Sequence, residues 1–185
     1  MGRVSQAQAE ENRRRVVETA SRLFRERGTQ VSVADVMAAA GLTHGAFYKQ
    51  FASKEALVDE VTAYAFAELA QRHSAGPEQG DGQRAAQQSL IDTYLSVEHR
   101  DDPADGCPVA ALATDIARDG GGHEARRVYA EGVAEFADFL GGPDQDGILR
   151  LCTLFGALVL SRATKGFPLS EEILAAAHAA LTEPG

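Results

Sequence analysis

The sequence predicts an all-α fold of about nine helices, and three observations predict it. Alanine is abundant, tryptophan is absent and β-branched runs are scarce, a composition biased toward helix. Apolar residues recur at i, i+3, i+4 and i+7 in one segment after another. Gly- and Pro-rich breaks separate those segments. The chain has 185 residues, 44% of them hydrophobic, enough to bury a core as one domain or as a small head on a larger body. No apolar run approaches the ~20 residues of a membrane span. The N-terminus is polar and charged, without the apolar stretch of a signal peptide. Cys107 and Cys152 make no disulfide framework, so a reduced, cytoplasmic protein is expected.

Residues 1–8 read as a polar tail in which Arg3 could reach phosphate or stay solvated. Glu10 to Arg27 is the first helix. Val16, Val17, Ala20, Leu23 and Phe24 make its apolar stripe, and Gly28 closes it. Arg13, Arg14 and Arg15 stand in its first turns, where cations oppose the helix dipole. An outside anion would relieve that conflict, so Arg13 and Arg14 are candidate phosphate contacts, against a plain solvated face.

Val31 to Phe51 (VSVADVMAAAGLTHGAFYKQF) has the pattern of a helix-turn-helix. Ser32 is a good N-cap, and Asp35 three residues later makes a capping box with Asp in place of Glu. Val33, Val36 and Met37 give the first helix its apolar face, Gly41 ends it, and Leu42 packs under the turn. Thr43 is expected to cap a second helix from about His44 to Gln50. Gly45 costs that helix about 1 kcal/mol relative to alanine, which makes sense where a backbone must approach a groove floor. Phe47 and Phe51 lie four apart and face inward. Tyr48 and Lys49 then face outward, with Thr43 and His44 at the exposed N-terminal end, a set suited to phosphates and base edges. A helical hairpin with a solvated polar face is the alternative from pattern alone.

Ala52 to about His73 is a longer helix, capped by Ser53, with Leu57, Val58, Val61, Tyr64, Ala65 and Leu69 inward. Lys54 opens it, again a cation at a positive helix end. Ser74 to Gly82 is a loop. Gln83 to Glu98 is expected to be one helix, His99 to Gly106 a polar loop, and Cys107-Pro108 the start of another helix. A break at Gly120–Gly122 precedes a helix from Glu124 to Leu140, and GGPD at 141–144 follows it. The last two helices run from Gln145 to Thr164 and onward from Ser170, expected as N-cap. In the first of them Ile148, Leu151, Cys152, Phe155, Leu158 and Val159 are expected to be inward, Cys152 as plain core.

The net charge of −9 hides an asymmetry. Residues 1–54 hold nine Lys/Arg and five Asp/Glu; residues 55–185 hold nine Lys/Arg and 22 Asp/Glu. A basic head on an acidic body suits a local anion-binding surface.

The run GLTHGAFYKQFASKEAL resembles the signature of the TetR family of transcriptional regulators. Its glycine turn, recognition helix, aromatic pair and Ser-Lys-Glu opening of the next helix are here Gly41, Thr43, Gly45, Phe47, Tyr48, Phe51, Ser53, Lys54 and Glu55. The likeness extends back through Ala20, Leu23, Phe24 and Gly28 and covers roughly the first third of the chain. It implies a helix-turn-helix DNA-binding domain at 1–52 and a helical ligand-binding and dimerisation domain at 53–185. It also implies a homodimer through the last two helices, a near-palindromic double-stranded operator, and repression relieved by a small-molecule effector. The implied DNA contacts are Thr43, Gly45, Tyr48 and Lys49, with Lys54 on phosphate. Ser32, His44, Arg13 and Arg14 join them from their placement.

No catalytic constellation stands out, so no enzyme and no cofactor is expected. The five histidines are scattered, without HExxH or CxxC spacing for a metal. Gly120–Gly122 lacks the P-loop lysine, and there is no G-x-S-x-G elbow. Cys107, at a helix N-terminus, is either a reactive thiol or a buried inert one. A ligand pocket between helices is expected from Tyr64, Tyr94, Cys107, Tyr129, Phe136, Phe155 and Arg162, with Arg162 facing an anionic ligand. The rival function is a helical small-molecule carrier or sensor, with a cysteine-based redox or electrophile sensor as one form, acting without sequence-specific DNA binding.

Overall fold

A computed structural model describes residues 6–74, 81–118, 122–142 and 146–182. These residues form nine α-helices and one 3₁₀ helix. Arg3 and the centres of three expected breaks, at 75–80, 119–121 and 143–145, lie outside them.

Helix α1 (Gln6–Arg27) buries Val16, Val17, Ala20 and Phe24 and ends at Gly28, whose φ of 81° is open to glycine. Helix α2 (Val33–Ala39) starts as the sequence demands: Ser32 Oγ accepts from Asp35 N at 3.1 Å. The Asp35 carboxylate turns back to accept from the Ser32 hydroxyl, a shorter reach than the backbone contact a Glu would make. Gly41, at φ 69°, completes a Schellman turn in which Leu42 N donates to Met37 O and Gly41 N to Ala38 O.

The second helix of the pair is a 3₁₀ helix, His44–Lys49. Thr43 stands at its N-cap with extended backbone, but its side chain makes no capping bond, contrary to expectation. A segment of six residues with Gly45 inside it gains little from the longer α-helical hydrogen bonds, and two buried phenylalanines hold it instead. Helix α3 (Lys54–Ser74) follows, its first turn capped by Ser53 Oγ, which accepts from Ala56 N at 3.1 Å.

The expected single helix after the first loop is two: α4 (Asp81–Tyr94) and α5 (Val97–Asp101). Ser96 divides them by capping α5, accepting from His99 N at 3.1 Å, so His99 is helical and not in a loop. Helix α6 (Pro108–Ala117) starts at Cys107-Pro108, and α7 (His123–Leu140) follows. Helix α8 (Gly147–Ala163) takes its cap from Asp146, whose carboxylate accepts from Ile148 N and Leu149 N. Helix α9 (Pro168–Thr182) begins two residues before Ser170. Ser170 is therefore not a cap. Its buried hydroxyl donates to Ser161 O and accepts from Arg100 Nη1.

Two apolar clusters fill the molecule, and α3 threads both. The lower one joins Val16, Phe24, Val36, Met37, Phe47, Phe51, Leu57 and Val61 to Leu112, Ile116 and Ala125. The upper one joins Phe66 and Leu69 to Ile91, Tyr94, Phe136, Leu140, Leu154, Leu158 and Leu174. The α3–α7 crossing depends on a glycine: a Cβ at Gly132 would lie 2.0 Å from Cδ1 of Phe66. Cys152 is exposed, not core. Helix α8 is apolar nearly all round, so periodicity could not choose its buried face. Leu151, Leu154, Ala157 and Leu158 are inward, while Ile148 and Val159 face out, contrary to expectation, as do Leu149, Leu160, Phe167 and Leu169.

Candidate nucleic-acid interface and ligand cavity

Phe47 and Phe51 stack under the 3₁₀ segment with ring centroids 5.3 Å apart, both buried. Tyr48 stands edge-on to Phe47 on the opposite side and is 65% exposed. His44 packs edge-on to Tyr48 at 5.8 Å. Thr43, His44, Gly45, Tyr48 and Lys49 are all exposed together. No heavy atom lies within 4 Å of where a Cβ on Gly45 would stand, so the backbone there is open to a close approach.

Arg13 is held by this segment. Its guanidinium carbon lies 4.4 Å from the Phe51 ring centroid, Nη1 donates to Gln50 O, and Nε donates to Glu60 Oε1 at 3.1 Å. It joins α1, the end of the 3₁₀ segment and α3, and its head is engaged within the protein rather than free for phosphate. Arg14 is exposed and pairs with Glu11 and Glu18, which push its pKa up. The Ser32 hydroxyl is exposed and spent on its cap; Lys54 is half-buried at the first position of α3.

In the body, α3 to α7 surround a cavity of about 480 Å³. Leu69, Leu90, Phe136 and Phe139 make its apolar part; Arg72, Tyr94, His99, Asp105 and Cys107 make its polar end. A second hollow of about 210 Å³ shares Leu69, Phe136 and Phe139 with it and runs toward Gly132. His99 Nδ1 donates to Tyr94 O at 2.8 Å, which leaves Nε2 as the acceptor of a neutral ring. Burial pushes the His99 pKa down, against that hydrogen bond. Burial pushes the Cys107 thiol up, so the thiolate that redox or electrophile sensing needs is disfavoured. The Tyr94 hydroxyl, on a residue 5% exposed, has no hydrogen-bond partner among the described residues.

Residues 16–61 match the model of the bacterial regulatory proteins of the tetR family. That match places the helix-turn-helix in the family's own domain. Residues 16–61 carry the DNA-binding domain of the tetR family. The fold is similar to that of solved TetR regulators over most of the chain. A TetR transcriptional regulator from Chloroflexus aurantiacus is 21% identical, with 95% of this chain and 94% of that one covered and a TM-score of 0.71. NemR from E. coli, in its reduced form, is 19% identical over 90% of this chain and 95% of its own, with a TM-score of 0.73. AibR, solved with isovaleryl coenzyme A and operator DNA, is 16% identical over 94% and 100%, with a TM-score of 0.62. No curated protein matches the sequence.

Of the expected pocket residues, Tyr94, Cys107 and Phe136 come together at the cavity. Tyr64 does not line it: its hydroxyl donates to Glu68, and its ring packs on the lower cluster. Tyr129 donates to Val109 O at 2.8 Å, and Phe155 packs at the edge of the upper cluster. Arg162 is turned away from an anionic ligand, donating to the carbonyls of Arg100 and His99 at 3.1 Å each. Sequence reasoning missed most of the other lining residues, Arg72 and His99 among them. Nothing in the pattern marks Arg72, and His99 could have been found from the Ser96 cap three residues before it. Among the described residues, no group of three or more His, Cys, Asp or Glu could hold a metal, and no helix is long and apolar enough to cross a membrane.

Proposed function

We propose that this regulator is a homodimeric repressor of a near-palindromic double-stranded operator, released by a small molecule bound in the body cavity. The observation that carries this is the 3₁₀ segment, which sets Thr43, His44, Gly45, Tyr48 and Lys49 outward over buried Phe47 and Phe51. Side chains of those types at the open end of a helix-turn-helix suit the major groove, with Lys54 beside them for phosphate. Ser32 and Arg14, both exposed, are proposed as further contacts, whereas Arg13 serves the interface by fixing the segment's position.

One short segment reads too few bases to be specific alone, so two copies are needed, about 34–36 Å apart on the duplex. The exposed apolar residues Ile148, Leu149, Leu160, Phe167 and Leu169 support pairing through α8 and α9. The division into a head at 1–52 and a body at 53–185 belongs to the same proposal, as does an effector in the cavity, whose size is within the ordinary range for small-molecule sites. AibR's complex with an acyl coenzyme A and operator DNA supports the pairing of such a fold with both partners.

Selection of bound duplexes from a randomised pool, followed by footprinting, tests this proposal. A palindromic winner with a dimer-sized footprint is expected; salt-sensitive, sequence-blind binding would overturn it.

A further inference from the structure

We infer that the body cavity takes an amphipathic carboxylate, its tail against Leu69, Leu90, Phe136 and Phe139 and its head between the Arg72 guanidinium, the Tyr94 hydroxyl and the N-terminus of α6. The inference rests on the proposal that this cavity receives an effector.

Three features converge on one end of the cavity. Tyr94 Oη is a donor inside a residue 5% exposed, without a hydrogen-bond partner among the described residues. Its polar neighbour is the sulfur of Cys107, a weak acceptor. A buried donor left open is unfavourable, and a ligand oxygen would satisfy it. Arg72 supplies a fixed positive charge, and no ion pair of its guanidinium is found among the described residues. Cys107, the N-cap of α6, lines the cavity without a full side-chain cap, and the first-turn N–H groups of Val109 and Ala110 face its sulfur, so the positive end of the helix lies at the same place.

The one carboxylate at the cavity does not cancel this. Asp105 lines the cavity but is held in an ion pair by Arg22, which does not line it and which holds the carboxyl pKa below its ordinary value. His99 is a neutral acceptor at Nε2, suited to a hydroxyl beside the carboxylate but adding no charge. Ser89 and Thr93 also line the wall, the Thr93 hydroxyl donating to Ser89 O at 2.9 Å; the rest is hydrocarbon and aromatic ring, and the shared Leu69, Phe136 and Phe139 leave the second hollow for a longer tail.

Titration calorimetry on the full chain without DNA tests the inference, with octanoate and 3-phenylpropanoate as probes and their neutral amides as controls. At least one acid should bind about tenfold or more tightly than its amide, the difference expected of charge-assisted hydrogen bonds. Arg72→Gln should erase that preference. Tyr94→Phe should weaken the acid about tenfold while raising the melting temperature of the free protein, because it deletes an unsatisfied buried hydroxyl. A merely structural tyrosine would lower it. Equal binding of acid and amide, or an undiminished preference in Arg72→Gln, would overturn the inference, as would no binding by any probe. Release of the selected operator is measured separately. If the amides release DNA as well as the acids do, effector control stands and the carboxylate does not. If the acids bind with preference and leave DNA binding unchanged, the carboxylate stands and effector release does not.

Discussion

Asp115, on α6, accepts a hydrogen bond from the backbone N–H of Thr29, just past the end of α1, at 2.6 Å. The same carboxylate closes over Gly28, where a Cβ would come within 2.9 Å of Oδ2. Helix α6 thus meets the cavity at its N-cap Cys107 and the turn after α1 at Asp115, about two turns apart. Under the proposed function, a ligand that shifts the α6 N-terminus would act through this link between α6 and the end of α1.

Asp115→Ala should therefore loosen the coupling between cavity and head. We expect a stability loss of about 1–3 kcal/mol in urea melts, and operator release that needs more effector or stays incomplete at saturation. Unchanged release would place the coupling elsewhere. Gly28→Ala should be at least as damaging, since it meets both a positive φ of 81° and the Asp115 carboxylate.

Lys54→Ala should weaken binding to all duplexes and reduce the salt slope by about one. Tyr48→Ala, at a side chain 65% exposed, should leave the melting temperature unchanged and lower operator affinity. Affinity measured across a salt series checks both; an unchanged slope in Lys54→Ala would remove that lysine from the interface.

Arg13→Ala and Arg14→Ala should part company. Arg13 stacks on Phe51 and holds Gln50 O and Glu60, so its loss should cost about 1 kcal/mol or more and disturb the recognition segment. Lysine should not restore it, because the planar fork makes these contacts together. Arg14→Ala should leave stability nearly unchanged, its pairs being exposed. Equal melting temperatures for the two variants would contradict this assignment.

The His99 environment sets a pH dependence. Burial holds its folded-state pKa below the ordinary value, so the unfolded chain binds the proton more readily. The penalty is absent above the usual histidine pKa of about 6.5 and grows as pH falls through that value toward the folded pKa. The melting temperature should drop between about pH 7.5 and pH 5.5, and drop less in His99→Asn, whose amide can keep the bond to Tyr94 O.

Much of the head was legible because its signals are local. Ser32, Gly41 and Ser53 sit where caps and a left-handed stop are demanded by chemistry within a few residues, and Phe47 and Phe51 repeat at helical spacing. Thr43 misled because a cap residue in a 3₁₀ segment need not bond the first turn. The body was harder. Cys152 and Leu151 are neighbours on a helix apolar all round, and only packing against α7 and α9 decides which faces inward. Arg162 and Arg72 look alike in sequence; the carbonyls of Arg100 and His99, which occupy the first, lie more than 60 residues away.

The central claim is that the outward face of the 3₁₀ segment reads DNA sequence. Anisotropy titration of one duplex selected from a random pool, against a scrambled duplex at the same moderate salt, tests it most directly. A specific regulator should favour the selected duplex by about a thousandfold or more, and Tyr48→Ala should cut that ratio sharply. Equal affinity for both duplexes, unaffected by Tyr48→Ala, would contradict it.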